Sequence, residues 1–247
     1  MLLSDDALIL DRSPFRDRHL VLAVLSAEHG VIRGVLRNAR RSKNGAGAVV
    51  QILSLVHFTS FQKPSADMAT FREIDLVRSS FPLSRDLATG TAAAVVAEML
   101  STFCPLGEVA PRRYRLGVAA LNALLNDVES TIVIAYVQLW MLQLSGLFPD
   151  IASCAHCASK LGNDLHFSLQ DGLPLCKLCS TGPKRRLTSN DLLFVNAASR
   201  HSPADLDVQP TESLAAWLDL LVTSQAERPM RALEFFRHCD VMDAGPS

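Results

Sequence analysis

The sequence predicts an α+β fold: an N-terminal five-stranded barrel, followed by an all-helical domain that a four-cysteine hairpin interrupts. Three observations carry this reading. Up to about residue 79 the chain alternates short β-like runs with turn residues. After Phe81-Pro82 the apolar period lengthens to that of a helix. Within the helical part, Cys154, Cys157, Cys176 and Cys179 stand as two Cys-x-x-Cys pairs. With 247 residues, 49% of them hydrophobic, the chain has enough apolar mass for a real core.

The β-like runs are Ala7 to Leu10, Leu20 to Leu25, Val31 to Leu36, Val50 to Phe61 and Ala69 to Val77. Alternation is clear from Leu53 to Thr59, and His29-Gly30 marks a tight turn between the second and third runs. Five short strands in about 75 residues suit an oligonucleotide-binding (OB-fold) barrel over residues 1–80, with an SH3-like barrel as the alternative.

Ser84 is placed to cap a first helix whose Leu87, Thr91, Val95 and Met99 share one face. Pro111 opens a second helix through Leu125, and Ser130 or Thr131 opens a third that stops at Gly146 with Pro149 just beyond. Their broad Ala, Leu and Val faces predict mutual packing in a bundle. Helical patterning resumes from Thr188 to Arg200 and from Thr211 to about Cys239. The expected division is a barrel at 1–80, helical parts at 81–150 and 187–242, a cysteine insertion at 151–186 and a tail at 243–247.

The spacer of eighteen residues between the cysteine pairs reads as a hairpin: Leu165 to Leu169, the turn Gln170-Asp171-Gly172, then Leu173 to Leu175. Such spacing predicts a structural Zn²⁺ held by Cys154, Cys157, Cys176 and Cys179, with the coordination shell closed by four thiolates. Paired disulfides or a redox dithiol are the competing readings, disfavoured by a reducing compartment and by the lack of a βαβ pattern. His156 and His166 are alternative ligands. Cys104 and Cys239 stand alone in helical patterns, the ordinary place for a small buried hydrophobe.

Net charge is −1, so attraction to a polyanion must come from a local patch. The segment from Arg33 to Lys43 supplies five cations, Arg33, Arg37, Arg40, Arg41 and Lys43, and no acid, and Asn44-Gly45-Ala46-Gly47 follows at once. Guanidinium forks pair bidentately with phosphate oxygens, and glycines let a backbone approach. A solvated loop that only keeps the barrel soluble is the bland alternative. Arg12, Arg16 and Arg18 are interleaved with Asp11 and Asp17, a pattern equally suited to surface ion pairs. Among Phe15, Phe58, Phe61 and Phe71, most rings should face the core of so small a barrel, and Phe15 is the candidate stacking platform. Arg112-Arg113-Arg115 and Lys184-Arg185-Arg186 read as solvated helix ends.

No phosphate loop of the G-x-x-x-x-G-K-[ST] type, no G-x-S-x-G and no H-E-x-x-H occurs, and the seven histidines show no convergent spacing. An enzyme is therefore not expected. The first residues carry no secretory signal pattern and the apolar run from Ile132 to Phe148 contains Gln138, Gln143 and Ser145, so a cytoplasmic protein without a membrane span is expected.

Taken together, Ser13-Pro14-Phe15, Glu28 to Val35 leading into Ala39 to Lys43, Phe71-Arg72-Glu73, Leu142 to Asp150 running into Cys154, Asp171-Gly172-Leu173 and Pro229 to Leu233 resemble the RecO family of bacterial recombination mediators across nearly the whole chain. The resemblance implies binding of single- and double-stranded DNA and annealing of strands coated by single-strand-binding protein. It also implies cooperation with RecR in loading RecA, capture of the acidic C-terminal tail of the single-strand-binding protein on the helical domain, and a place at the nucleoid. It assigns DNA contact to Arg33, Arg37, Arg40, Arg41 and Lys43 and metal binding to the four cysteines. The alternative is an adaptor whose barrel binds proteins. Asn38 and Ala158 stand where the family commonly has glycine, so a left-handed backbone is expected at both, with strain at Ala158.

Overall fold

The computed structural model describes residues 1–39, 50–63, 66, 68–162, 165–226 and 228–243. Its N-terminal part is a closed barrel of β1 (Leu2–Phe15), β2 (His19–Ser26), β3 (Gly30–Leu36), β4 (Leu55–Phe61) and β5 (Ala69–Arg78), in the order β1-β2-β3-β5-β4. β1 runs far beyond the expected Ala7 to Leu10 because it serves two neighbours: Leu2 to Leu8 pair with β4, and Ala7 to Phe15 pair with β2. An irregularity between Ile9 and Asp11 bends the strand between these duties. β3 and β5 pair in parallel, and the other pairings are antiparallel. This is the OB-like barrel that the strand count predicts.

Inward-facing apolar residues fill the barrel, and Ala7–Leu10 of β1 and Leu22–Ser26 of β2 are buried throughout. Ile9, Leu22, Val24, Val56, Phe58 and Phe71 point inward, and the Phe58 and Phe71 rings meet edge to face at 5.7 Å. Gly30 takes φ 63° in the β2–β3 turn, and a Cβ there would fall 1.9 Å from the carbonyl oxygen of Glu108, so no larger residue fits. The expected strand from Val50 to Phe61 is shorter. Its first residues form a turn in which buried Leu53 adopts φ 64° and donates its N–H to Ile9 O at 2.7 Å.

The helices are α1 (Leu87–Phe103), α2 (Pro111–Leu125), α3 (Ser130–Leu144), α4 (Ser189–Ala198), α5 (Glu212–Gln225) and α6 (Arg231–Asp243). Ser84 is not the cap of α1. It lies in a short 3₁₀ turn, Phe81–Arg85, with its hydroxyl donating to Phe81 O, while the Asp86 carboxylate accepts the Thr89 N–H at 2.8 Å. That bond holds the Asp86 carboxyl below its ordinary pKa. On the expected face of α1, Thr91, Val95 and Met99 are buried, but Leu87 in the first turn is exposed. The apolar pattern from Thr211 to Cys239 is two helices, because Pro229 cannot continue one. No helix among the described residues is long and apolar enough to cross a membrane.

The chain forms two compact units, Met1–Asp127 with Met230–Ser247, and Val128–Pro229. The first holds the barrel, α1, α2 and α6. The second holds α3, α4, α5 and the small sheet of the cysteine segment. The expected bundle of three mutually packed helices is thus divided, α1 and α2 in one unit and α3 in the other. In the first unit the final helix is held by α1, since the Glu98 carboxylate accepts the N–H groups of Ala232 and Leu233 at 3.0 and 3.4 Å. A carboxylate there satisfies unpaired donors and complements the positive end of the helix dipole. Replacing Glu98 by Ala should cost about 1–2 kcal/mol in urea unfolding, and Glu98→Gln, which keeps an acceptor oxygen, should cost less.

Candidate nucleic-acid groove and metal centre

At one end of the barrel the β1–β2 hairpin meets the end of β3 and the start of β5 around a groove of about 520 Å³. Phe15, Arg16, His19, Arg37, Asn38 and Thr70 contribute to its wall, and no carboxylate does among the described residues. Arg37 is exposed and stands just before Asn38, which adopts φ 57° as expected for a residue in a glycine position. That turn is fastened by the Asn38 N–H, which donates to His19 Nδ1 at 3.1 Å. Arg16 is also left-handed, at φ 52°, and its guanidinium lies 5.2 Å from the centre of the Phe15 ring.

The predicted cations do not all share this groove. Arg33 is exposed on β3, and four residues along a strand amount to roughly 13 Å. It borders a separate cleft of about 350 Å³ with Glu28, His29 and Gln62. Arg40, Arg41 and Lys43 lie outside the described residues. Arg12 is engaged in the fold, its guanidinium donating to Val50 O at 2.8 Å rather than to Asp11 or Asp17. Of the rings, Phe58 and Phe71 are buried and Phe15 is 38% exposed, as the sequence pattern predicts. Phe61 is 37% exposed with the Arg72 guanidinium 5.5 Å from its centre. Counting alternate positions from Phe58 puts Ser60 inside and Phe61 outside, a signal that the number of aromatics obscures.

In the second unit β6 (Leu165–Ser168) and β7 (Pro174–Leu175) form the anticipated hairpin, and β8 (Lys184–Leu187) pairs with the other side of β6. Lys184, Arg185 and Arg186 are therefore an exposed edge strand, not a helix end, whereas Arg112, Arg113 and Arg115 do sit in the first turns of α2. The hairpin is anchored by Trp217 of α5, whose buried indole N–H donates to Gly172 O at 2.7 Å and whose ring lies 6.0 Å from that of Phe167.

This hairpin brings the Sγ atoms of Cys154, Cys157, Cys176 and Cys179 within 4.8 Å of one another. Neither His156 nor His166 belongs to the cluster. Cys157 Sγ and Cys176 Sγ are 3.8 Å apart, too far for a disulfide. Ligands placed tetrahedrally at ~2.3 Å from one ion stand roughly 3.8 Å from each other, so the four thiols fit a single tetrahedral metal. Backbone N–H groups supply further help. That of Cys176 donates to Cys154 Sγ at 3.4 Å and, with that of Cys157, lowers the Cys154 thiol to about 6. The Cys179 N–H lowers Cys176 in the same way. The Cys179 thiol, shared with the sulfurs of Cys157 and Cys176, is pushed up to about 12, as expected when thiolates crowd together without a cation. Such a cluster can hold a metal ion. By contrast Cys104 is buried, which raises its thiol to about 12 and suits the small buried hydrophobe that the sequence predicts.

Ala158 closes the first knuckle at φ 56°, with its N–H donating to Cys154 O at 2.9 Å, so the expected strain at this position is present. Ala158→Gly should raise the stability of the metal-loaded protein by about 1 kcal/mol, measured as a shift in thermal unfolding at fixed metal concentration. Destabilisation would refute this account of the knuckle.

Comparison with known proteins agrees with the architecture. The family model described as recombination protein O N terminal matches residues 1–80, and that described as recombination protein O C terminal matches residues 84–223. The chain is 25% identical over 241 residues to the DNA repair protein RecO of Syntrophotalea carbinolica, covering 94% of this chain and 93% of that one. It is 27% identical over 237 residues to the DNA repair protein RecO of Bifidobacterium longum, covering 93% and 96%. With that of Bacillus pumilus the identity is 25% over 179 residues, covering 72% and 69%. A closed five-stranded barrel, a helical region carrying a four-cysteine cluster and these matches lead to one conclusion: the chain belongs to the RecO family of recombination and DNA repair proteins.

Proposed function

We propose that the protein is a recombination mediator that binds single- and double-stranded DNA, anneals complementary strands coated by single-strand-binding protein and helps RecR load RecA. The observation that carries this reading is the barrel groove, where Arg16, Arg37 and His19 line a concave surface without a carboxylate among the described residues. Family membership supports it independently.

The mechanism is electrostatic and makes or breaks no covalent bond. Two complementary strands repel each other through their phosphates, and cations on a rigid barrel lower that repulsion while leaving the base edges free to pair. Arg33 and Arg37 are the described members of this set, and the following segment adds Arg40, Arg41 and Lys43. Barrel residues 1–80 are the DNA-binding domain on this reading, and the helical parts are the protein-binding ones. Recognition of the acidic tail of the single-strand-binding protein would need an apolar pocket rimmed by cations there. Work in the cytoplasm, at the nucleoid, follows from such partners.

The cysteine cluster is proposed to hold one structural Zn²⁺ through Cys154, Cys157, Cys176 and Cys179. With four thiolates the shell is closed, so the ion would brace the hairpin and supply no reactive position. Purified protein should contain one zinc per chain, and Cys157→Ser should bring this close to zero by elemental analysis. Stripping the metal with a chelator in a Trp140→Phe background should move the Trp217 emission to longer wavelength, because that indole is buried against the hairpin. An unchanged spectrum on metal loss would refute the bracing role.

The central test is annealing of strands precoated with single-strand-binding protein. Replacing Arg37, Arg40 and Arg41 together by Ala should slow annealing at least roughly tenfold. It should also reduce the salt dependence of DNA affinity by about one unit of log–log slope for each arginine that pairs with a phosphate. Intact annealing by this variant would leave the adaptor reading in its place.

A further inference from the structure

We propose that Phe15 and Phe61 are stacking platforms for unpaired bases, so that the barrel face discriminates single strands from duplex. This rests on the reading of the barrel as a nucleic-acid-binding surface and adds the groups that choose between nucleic-acid forms.

Strand register puts both rings on the outside of the barrel, in two neighbouring rows that run across the strands. Phe15 is paired with His19 across β1 and β2. One step beyond the pair Leu20–Leu36, His19 stands next to Arg37, and one step beyond the pair Leu36–Phe71, Arg37 stands next to Arg72. Phe61 is paired with Thr70, and the Arg72 guanidinium covers one side of its ring. The first row therefore reads Phe15, His19, Arg37, Arg72, and Phe61 ends the neighbouring row of Val35 and Thr70, with the 520 Å³ groove lined by residues of both rows.

Isolated exposed apolar residues are ordinary on protein surfaces. This pair differs in three respects. Both rings are more than a third exposed while the other two barrel phenylalanines are buried. Each has a guanidinium over its ring, at 5.2 and 5.5 Å, and keeps more than a third of its surface open. One of these cations, Arg16, is held in a left-handed backbone that a non-glycine residue rarely adopts, the kind of strain that collects at binding sites. A ring so arranged extends a stack of guanidinium, phenyl and base. Bases inside a duplex are stacked on each other and cannot supply the third layer, so only a single strand gains from the rings, whereas both forms gain from Arg37.

The test compares the full-length protein with Phe15→Leu/Phe61→Leu, Phe15→Trp/Phe61→Trp and Arg37→Gln. Affinity is measured by fluorescence anisotropy for an oligo-dT strand, an abasic strand of equal length and a duplex of equal length. The Leu variant should lose about tenfold or more on oligo-dT, with duplex affinity within about twofold and an unchanged salt slope. Its affinity for oligo-dT should fall to that of the wild type for the abasic strand. The Trp variant should bind oligo-dT at least as well as the wild type, which separates stacking from a folding defect. Arg37→Gln should weaken every form together. Equal loss on single strand and duplex, or an abasic strand bound as tightly as oligo-dT, overturns the stacking role while leaving the DNA-binding reading intact. Absence of wild-type binding to every form overturns both.

Discussion

A five-stranded sheet closes only if its two terminal strands pair with each other, and here β4 finds that partner in the first half of β1. The fourteen residues of β1 reach from β4 to β2, and the irregularity after Ile9 lets the two halves turn different ways. Closure dictates what the surface can carry. Inward positions are consumed by a small apolar core, and outward positions at the ends of β1, β3 and β5 are free for Phe15, Arg37 and Arg72. A barrel also has no open sheet edge, so these side chains are presented by a support that cannot bind other strands by simple sheet extension. The groove is a by-product of closure, lying where the β1–β2 hairpin meets the neighbouring strand ends.

The second unit solves a different problem. The hairpin sheet of β6, β7 and β8 is too small to be stable on hydrophobic burial alone. It is held from one side by Trp217, whose indole N–H reaches the hairpin tip at Gly172, and it carries at its other end a cluster of four cysteines that can hold a metal ion. Trp217 fixes the tip of the hairpin, and on the proposed reading a metal held by the cysteines would fix its base, where the chain enters and leaves through the knuckles.

Much of this is legible in the amino-acid order itself. The barrel follows from five β-like runs, and the four-cysteine cluster follows from two Cys-x-x-Cys pairs around a hairpin-length spacer, because both depend on local patterns of period or spacing. What stays hidden depends on three-dimensional closure. The run from Val50 to Phe61 looks like one strand, since the left-handed turn at Leu53 is made by a residue with no turn signature. Asp86 outcompetes Ser84 as a cap because a 3₁₀ turn intervenes; Pro82 marks where a helical turn opens, but not that this turn ends at Arg85 before the helix begins. Lys184 to Arg186 carry no apolar alternation, so β8 is specified by its partner β6 rather than by itself. The tie between α6 and α1 includes Glu98, a residue 134 positions away from Ala232 that its own surroundings present as an ordinary helix glutamate.

The distribution of charge links these features to function. With a net charge of −1 the molecule as a whole neither attracts nor repels DNA strongly, so binding must be confined to places where cations are gathered and acids kept away. The barrel groove meets that condition. For a protein proposed to bring two strands together, such confinement is an advantage. A strongly basic surface would hold both strands and the finished duplex alike, and turnover would stall. On the proposed reading, a small cation-lined groove with two rings beside it would instead hold a single strand by its phosphates and its bases together, and would lose the second of these grips as soon as the bases pair. On this view the same pairing that completes annealing weakens the protein's hold on the product, and release requires no energy source beyond base pairing itself.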